Sequence, residues 1–141
     1  MIVLSLLYCL LALQPTPPPP AEGYSLHVDF RTSQAAGTLY ITLFSTAQGW
    51  PDEAKQAYRT AKVPCGGQQT LHHFANLPAG SYALAAFQDL NGNGELDTNL
   101  FGVPTEPYGF SNNARGTLSA PNFGECEIKL RNQQKITITL K

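Results

Sequence analysis

From Tyr24 onward the apolar residues of this chain recur mostly at every second position. A strand points successive side chains to opposite faces, so this period commits each segment to a sheet with one face inward. Leu26, Val28 and Phe30 alternate with His27, Asp29 and Arg31, and Leu39, Ile41 and Leu43 with Tyr40, Thr42 and Phe44. Near the end, Cys126, Ile128 and Leu130 alternate with Glu125, Glu127 and Lys129, and Ile136, Ile138 and Leu140 with Thr137, Thr139 and Lys141. Asn132-Gln133-Gln134 between them reads as a hairpin turn. Thr70 to Phe74 reads as a further strand. Tyr82 opens a run with almost no polar residue before Gln88, the mark of a central strand buried on both faces. About seven strands at this spacing predict an all-β fold, a single Greek-key β-sandwich over residues 22–141. One segment breaks the period. In GWPDEAKQAYRTAK, Pro51 followed by Asp52 and Glu53 signals a helix start, which predicts one short surface helix and then a brief strand from Ala61 to Pro64.

The 141 residues suit one domain, and a net charge of −1 with 13 % charged residues gives no basic face for nucleic acid. The first thirteen residues, MIVLSLLYCLLAL, carry no charge. They fall short of the roughly 20 apolar residues that span a bilayer, and fit the apolar core of a secretory signal peptide. QPTPPPPAEG follows as a stiff polyproline spacer. Residues 1–21 are therefore expected to be signal peptide plus spacer. The mature chain would begin between Gln14 and Glu22, have no stable membrane span, and work in the periplasm or outside the cell. Removal of Cys9 leaves Cys65 and Cys126, an even pair that suggests a disulfide in an exported protein; two unpaired, half-buried thiols are the alternative.

The most chemically loaded stretch is FQDLNGNGELDTNLFGVPTEPYGFSNN, residues 87–113. Asp89, Asn91 and Asn93 fall at positions 1, 3 and 5 of an EF-hand-type calcium loop, with Gly94 at 6, the carbonyl of Glu95 at 7 and Asp97 at 9. A hard cation needs six to eight oxygens, and alternate side chains of a tight turn converge on one point. Position 12 is Leu100 instead of the bidentate Glu, so Glu106 is at most a supplementary ligand, and no helix enters the loop. Between Lys62 and Arg115 there is no Lys or Arg to neutralise Asp89, Glu95, Asp97 and Glu106. The reading is one Ca²⁺ held weakly, on the order of 10⁻⁴–10⁻³ M. The competing reading is a plain structural turn, since the hairpin dipeptide Asn-Gly occurs twice. Farther on, Ser111, Asn112 and Asn113 either cap backbone groups or, with Arg115, line a polar ligand site. His72 and His73 are adjacent, so in a regular strand they point to opposite faces and do not share a metal.

Two phrases resemble known families. Leu77-Pro78-Ala79-Gly80-Ser81-Tyr82 resembles the turn and strand of transthyretin-like, or prealbumin-type, β-sandwich modules. The motif D-x-N-G-N-G-x-L-D-T-N, followed by G-x-P-x-E-x-Y-G-F-S-N-N-A, resembles the bacterial domain-of-unknown-function family numbered 2141, closely over Leu77 to Gly116 and more loosely elsewhere. His72 and Cys126 depart from it, standing where apolar strand residues are more usual. The resemblance implies a transthyretin-like sandwich outside the cytoplasm and brings no activity or partner. The chain reads as a binding or structural module more than as an enzyme. The alternatives are a hydrolase using Asp89, Glu106 or His73 as acid or base, for which no G-x-S-x-G motif appears, and a carrier of a small ligand.

Overall fold

The computed structural model describes residues 23–141, so the expected signal peptide and nearly all of the expected spacer lie outside the described residues. Eight strands follow one another: β1 Tyr24–Arg31, β2 Thr38–Phe44, β3 Arg59–Pro64, β4 Gln69–Leu77, β5 Gly80–Asp89, β6 Tyr108–Phe110, β7 Ile128–Leu130 and β8 Gln134–Thr139. They form two sheets, one of three strands in the order β4-β1-β8 and one of five, β3-β2-β5-β6 with β7 also paired to β5. The all-β sandwich expected from the alternation is present. Leu26, Val28 and Phe30 of β1 meet Leu39, Ile41 and Leu43 of β2 and Leu84 of β5 in the main core.

β5 is central, and both of its faces are covered. Tyr82, Leu84 and Ala86 face the main core. Ala83 and Ala85 belong to a second cluster with Phe110 and Cys126, against which Trp50, Tyr108 and Phe123 pack. Trp50 organises that cluster. Its ring lies 5.4 Å from Phe44, 5.8 Å from Phe110 and 5.9 Å from Phe123, and its indole N–H donates to the Pro121 carbonyl at 2.8 Å.

Three sequence expectations are corrected. The last two strands do not form a hairpin. β7 pairs antiparallel with β5, and β8 runs parallel to β1 from Leu26↔Gln134 to Arg31↔Thr139. Their alternation is right, but they join different sheets and send their buried residues into the core between them. The segment ahead of β7 is not strand; Phe123–Cys126 is a 3-10 turn closed by a capping box between Asn122 and Glu125. The surface helix is only the 3-10 turn Ala54–Gln56 after a cis Trp50–Pro51 bond. None of its residues is buried, so no apolar stripe draws a longer helix onto the core. For the cysteine pair, where a disulfide and two free thiols both stood open, the structure has Cys65 and Cys126 free and buried. Cys65 belongs to the main core and Cys126 to the Trp50 cluster, so the five-stranded sheet separates them.

The β1–β2 connection is locked to the end of β5, which positions the loop that follows. Gln88 is fully buried; its amide donates to the carbonyls of Gln34 and Ala36, and its oxygen accepts from the Thr32 hydroxyl. Gly37, at φ +75°, lies so close that a Cβ there would sit 2.1 Å from the Asp89 carbonyl oxygen. Asp89 therefore leaves the sheet at a fixed place.

Candidate functional site

Asp89 ends β5 and is 1 % exposed. Its two oxygens accept the backbone N–H of Gly92 at 2.7 Å and of Gly94 at 2.8 Å. Both glycines have φ near +80°, the left-handed conformation that an L side chain resists, and this lets two N–H groups turn toward one carboxylate. Asn91 and Asn93 extend the pattern. The Asn91 oxygen accepts the N–H of Asn93 at 3.1 Å, and the Asn93 oxygen that of Glu95 at 3.0 Å. Such turns are what Asn and Asp make when their side chains bond the backbone two residues on.

The amide nitrogens of Asn91 and Asn93 both donate to Asp97, the second at 2.8 Å. Glu106, 7 % exposed, closes the loop from its far end. It accepts the N–H of Leu90 at 2.8 Å and of Asp97 at 3.1 Å, while Thr105 donates its N–H to the Asp97 carbonyl at 2.8 Å. Beyond Asp97 the chain makes a small hairpin through a Thr98–Pro104 bridge. Its turn is tied by Asn99, which accepts the N–H groups of Phe101 and Val103, and its tip presents Leu100 and Phe101 to solvent.

The structure thus joins Asp89, Asn91, Asn93, Asp97 and Glu106 through one hydrogen-bonded loop. Glu95 is exposed beside them. Among the described residues the sole salt bridge is Arg31–Asp29, so no cationic side chain pairs with the loop's acids. The carboxylates do not gather on one point. Asp89 and Glu106 face backbone amides, and no group of three or more His, Cys, Asp or Glu among the described residues is placed to hold a metal.

The polar run after β6 has other work. The Ser111 hydroxyl, fully buried, accepts the Leu84 N–H at 3.0 Å and donates to the Cys126 carbonyl. Asn112, at φ +60°, donates to the carbonyls of Glu125 and Glu127 at 3.1 and 3.0 Å. Asn113 exchanges bonds with β8, donating to the Thr137 carbonyl at 3.2 Å and accepting the Thr139 N–H at 2.8 Å. Arg115 donates to the carbonyls of Tyr108 and Thr139. These four side chains stitch the loop to the C-terminal strands. Sequence reasoning passed over Gln88 and Tyr40. Gln88 holds the root of the loop, and the Tyr40 hydroxyl would stand 3.3 Å from a Cβ at Gly94. A polar residue closing an otherwise apolar buried strand was the available signal for Gln88. His73 lies on β4 of the three-stranded sheet, and no hydrogen bond links it to Asp89 or Glu106, which stand at the end of the other sheet.

Among the described residues, no helix is long and apolar enough to cross a membrane. The family model described as "Uncharacterized protein conserved in bacteria (DUF2141)" matches residues 30–138. No curated protein and no solved structure matches the chain.

Proposed function

The chain belongs to that bacterial family of uncharacterized proteins, and on that premise we propose that it is an exported β-sandwich module with a binding or structural role whose 89–106 loop takes a weakly held Ca²⁺. The observation that carries the reading is the convergence of the Asn91 and Asn93 amides on Asp97, with no salt bridge to the loop's acids among the described residues. Turning each amide about its Cβ–Cγ bond would replace two N–H donors with two oxygens beside the Asp97 carboxylate. That is the oxygen-rich environment a hard cation requires. The turn gives up the two bonds from the N–H groups of Asn93 and Glu95, both on exposed residues that water can serve. This cost and the small number of carboxylates keep the affinity low, on the order of 10⁻⁴–10⁻³ M, which suits calcium-rich surroundings outside the cytoplasm. Export rests on the uncharged apolar run and the proline spacer at the start of the sequence.

The test is thermal unfolding in calcium, in magnesium and in chelator. Saturation 100-fold above the dissociation constant adds about 2.7 kcal/mol of stability. The melting temperature is expected to rise in millimolar calcium, to rise less in magnesium, and not to respond in Asp97→Asn. Asp97 is the informative position because Asp89 also holds the loop backbone. Equal melting of the parent chain with calcium and with chelator refutes the reading and leaves the loop a structural turn.

A further inference from the structure

All three histidines of the chain line one shallow cleft of about 300 Å³, with Val28, Leu71 and Lys135. His72 and His73 are neighbours on β4, but the informative pair is His27 and His73, 46 positions apart in sequence and direct cross-strand partners in the antiparallel β1–β4 ladder. Their rings stack with centroids 5.7 Å apart and planes 21° from parallel. Directly opposed residues on one face of a sheet have Cβ atoms about 4.5–5.5 Å apart. Two imidazoles rooted at that spacing need only rotate about their side-chain bonds to bring one nitrogen of each within about 2.0–2.1 Å of a shared metal ion. Both residues are exposed, so that rotation meets no packed neighbour that must move.

The surroundings narrow the choice. His72 turns its half-buried ring edge-on to Phe74, with centroids 4.7 Å apart; it borders the cleft with its ring centroid 6.3 Å from that of His73, but its cross-strand partner is the buried Val28 and not a second imidazole. Lys135 is the one cationic side chain lining the cleft; it is exposed, with a long stem that can carry its ammonium into water. The nearest carboxylate on the same strand, Asp29, is occupied by Arg31 and Gln69. A site of two nitrogens without carboxylate oxygens does not suit Ca²⁺ or Mg²⁺. It suits the borderline divalent metals that favour imidazole, among which Cu²⁺ binds tightest.

We propose that His27 and His73 form a two-imidazole site for a divalent transition metal, Cu²⁺ foremost, with its remaining coordination positions open to water or an external ligand. The Gln133 amide nitrogen lies 3.2 Å from His27 Nε2; this contact is exposed, so water can take it over when the ring turns toward a metal. The site is on the opposite sheet from the acidic loop and does not depend on the calcium reading.

The test is titration of the full chain with Cu²⁺ in a non-coordinating buffer containing millimolar Ca²⁺, followed by electron paramagnetic resonance of the frozen complex. One bound Cu²⁺ with hyperfine splitting from two imidazole nitrogens is expected. The signal should be lost in His27→Asn and in His73→Asn, and kept in His72→Asn and Asp97→Asn. Both lost-signal substitutions lie on the exposed face, and melting in chelator verifies that the variants fold. Absence of bound Cu²⁺ in the parent chain overturns the proposal. So does binding that survives the double His27→Asn/His73→Asn variant, or binding lost only in His72→Asn.

Discussion

Glu106→Gln probes the loop at its closure. The Glu106 carboxylate is buried and receives two backbone N–H groups, from Leu90 at 2.8 Å and Asp97 at 3.1 Å. Gln has nearly the same shape but offers one oxygen and one NH₂. Whichever way the amide is turned, one half-buried N–H then faces another donor. A hydrogen bond to a charged group contributes about 1.5–3 kcal/mol, and a buried donor left unpaired costs about 1–3 kcal/mol. The two half-buried donors recover part of this from water, which leaves an expected loss of about 2–3 kcal/mol. For a domain of this size that lowers the melting temperature by about 10 °C. Thermal and urea unfolding in chelator measure the loss without any contribution from a cation. Hydrogen exchange should localise it, with the Leu90 and Asp97 amides exchanging faster and the Leu26 and Ile41 amides changing only with global stability. A Glu106→Gln chain that melts within about 2 °C of the parent refutes the claim that this carboxylate holds the loop.

Acid should weaken the three-stranded sheet through Asp29. Burial pushes that carboxyl up, but the hydrogen bonds from Arg31 and Gln69 and the Arg31 charge outweigh it and hold the pKa below the usual carboxylate value. A lowered folded-state pKa contributes stability that is full above about pH 4 and is lost as pH falls through the folded value. Unfolding free energy measured from about pH 5 downward should therefore fall more steeply in the parent than in Asp29→Asn; equal slopes contradict the assignment. Burial and the neighbouring Glu125 push the Cys126 thiol up to about 11, so it should alkylate slowly in the native protein near neutral pH. In denaturant without reductant, Cys65 and Cys126 should both alkylate fully; a linked Cys65–Cys126 peptide in mass spectrometry contradicts the free-thiol state.

The period-two pattern by itself determined the all-β class, the strands β1 and β2, and a central β5 buried on both faces. Each of these is local: side chains i and i+2 share a face whatever the partner strand is. The acidic loop was legible for the same reason, because Asx turns and left-handed glycines act within two to five residues of each other. The partners of each strand were not legible. β7 and β8 carry the same alternation and read as a hairpin, but they pair with β5 and β1, and their buried residues meet in the one core between the two sheets. The 3-10 turn at Ala54–Gln56 likewise follows from a missing apolar stripe, against helix-start signals that were real but weak. Ser111, Asn112, Asn113 and Arg115 looked equally suited to a ligand or to the backbone; only the approach of β8 and the 123–126 turn decided for the backbone. The histidines make the same point most sharply. Side by side in sequence, His72 and His73 face different ways, while His27 and His73 meet because an antiparallel register, set by packing across the whole sandwich, lays one directly opposite the other.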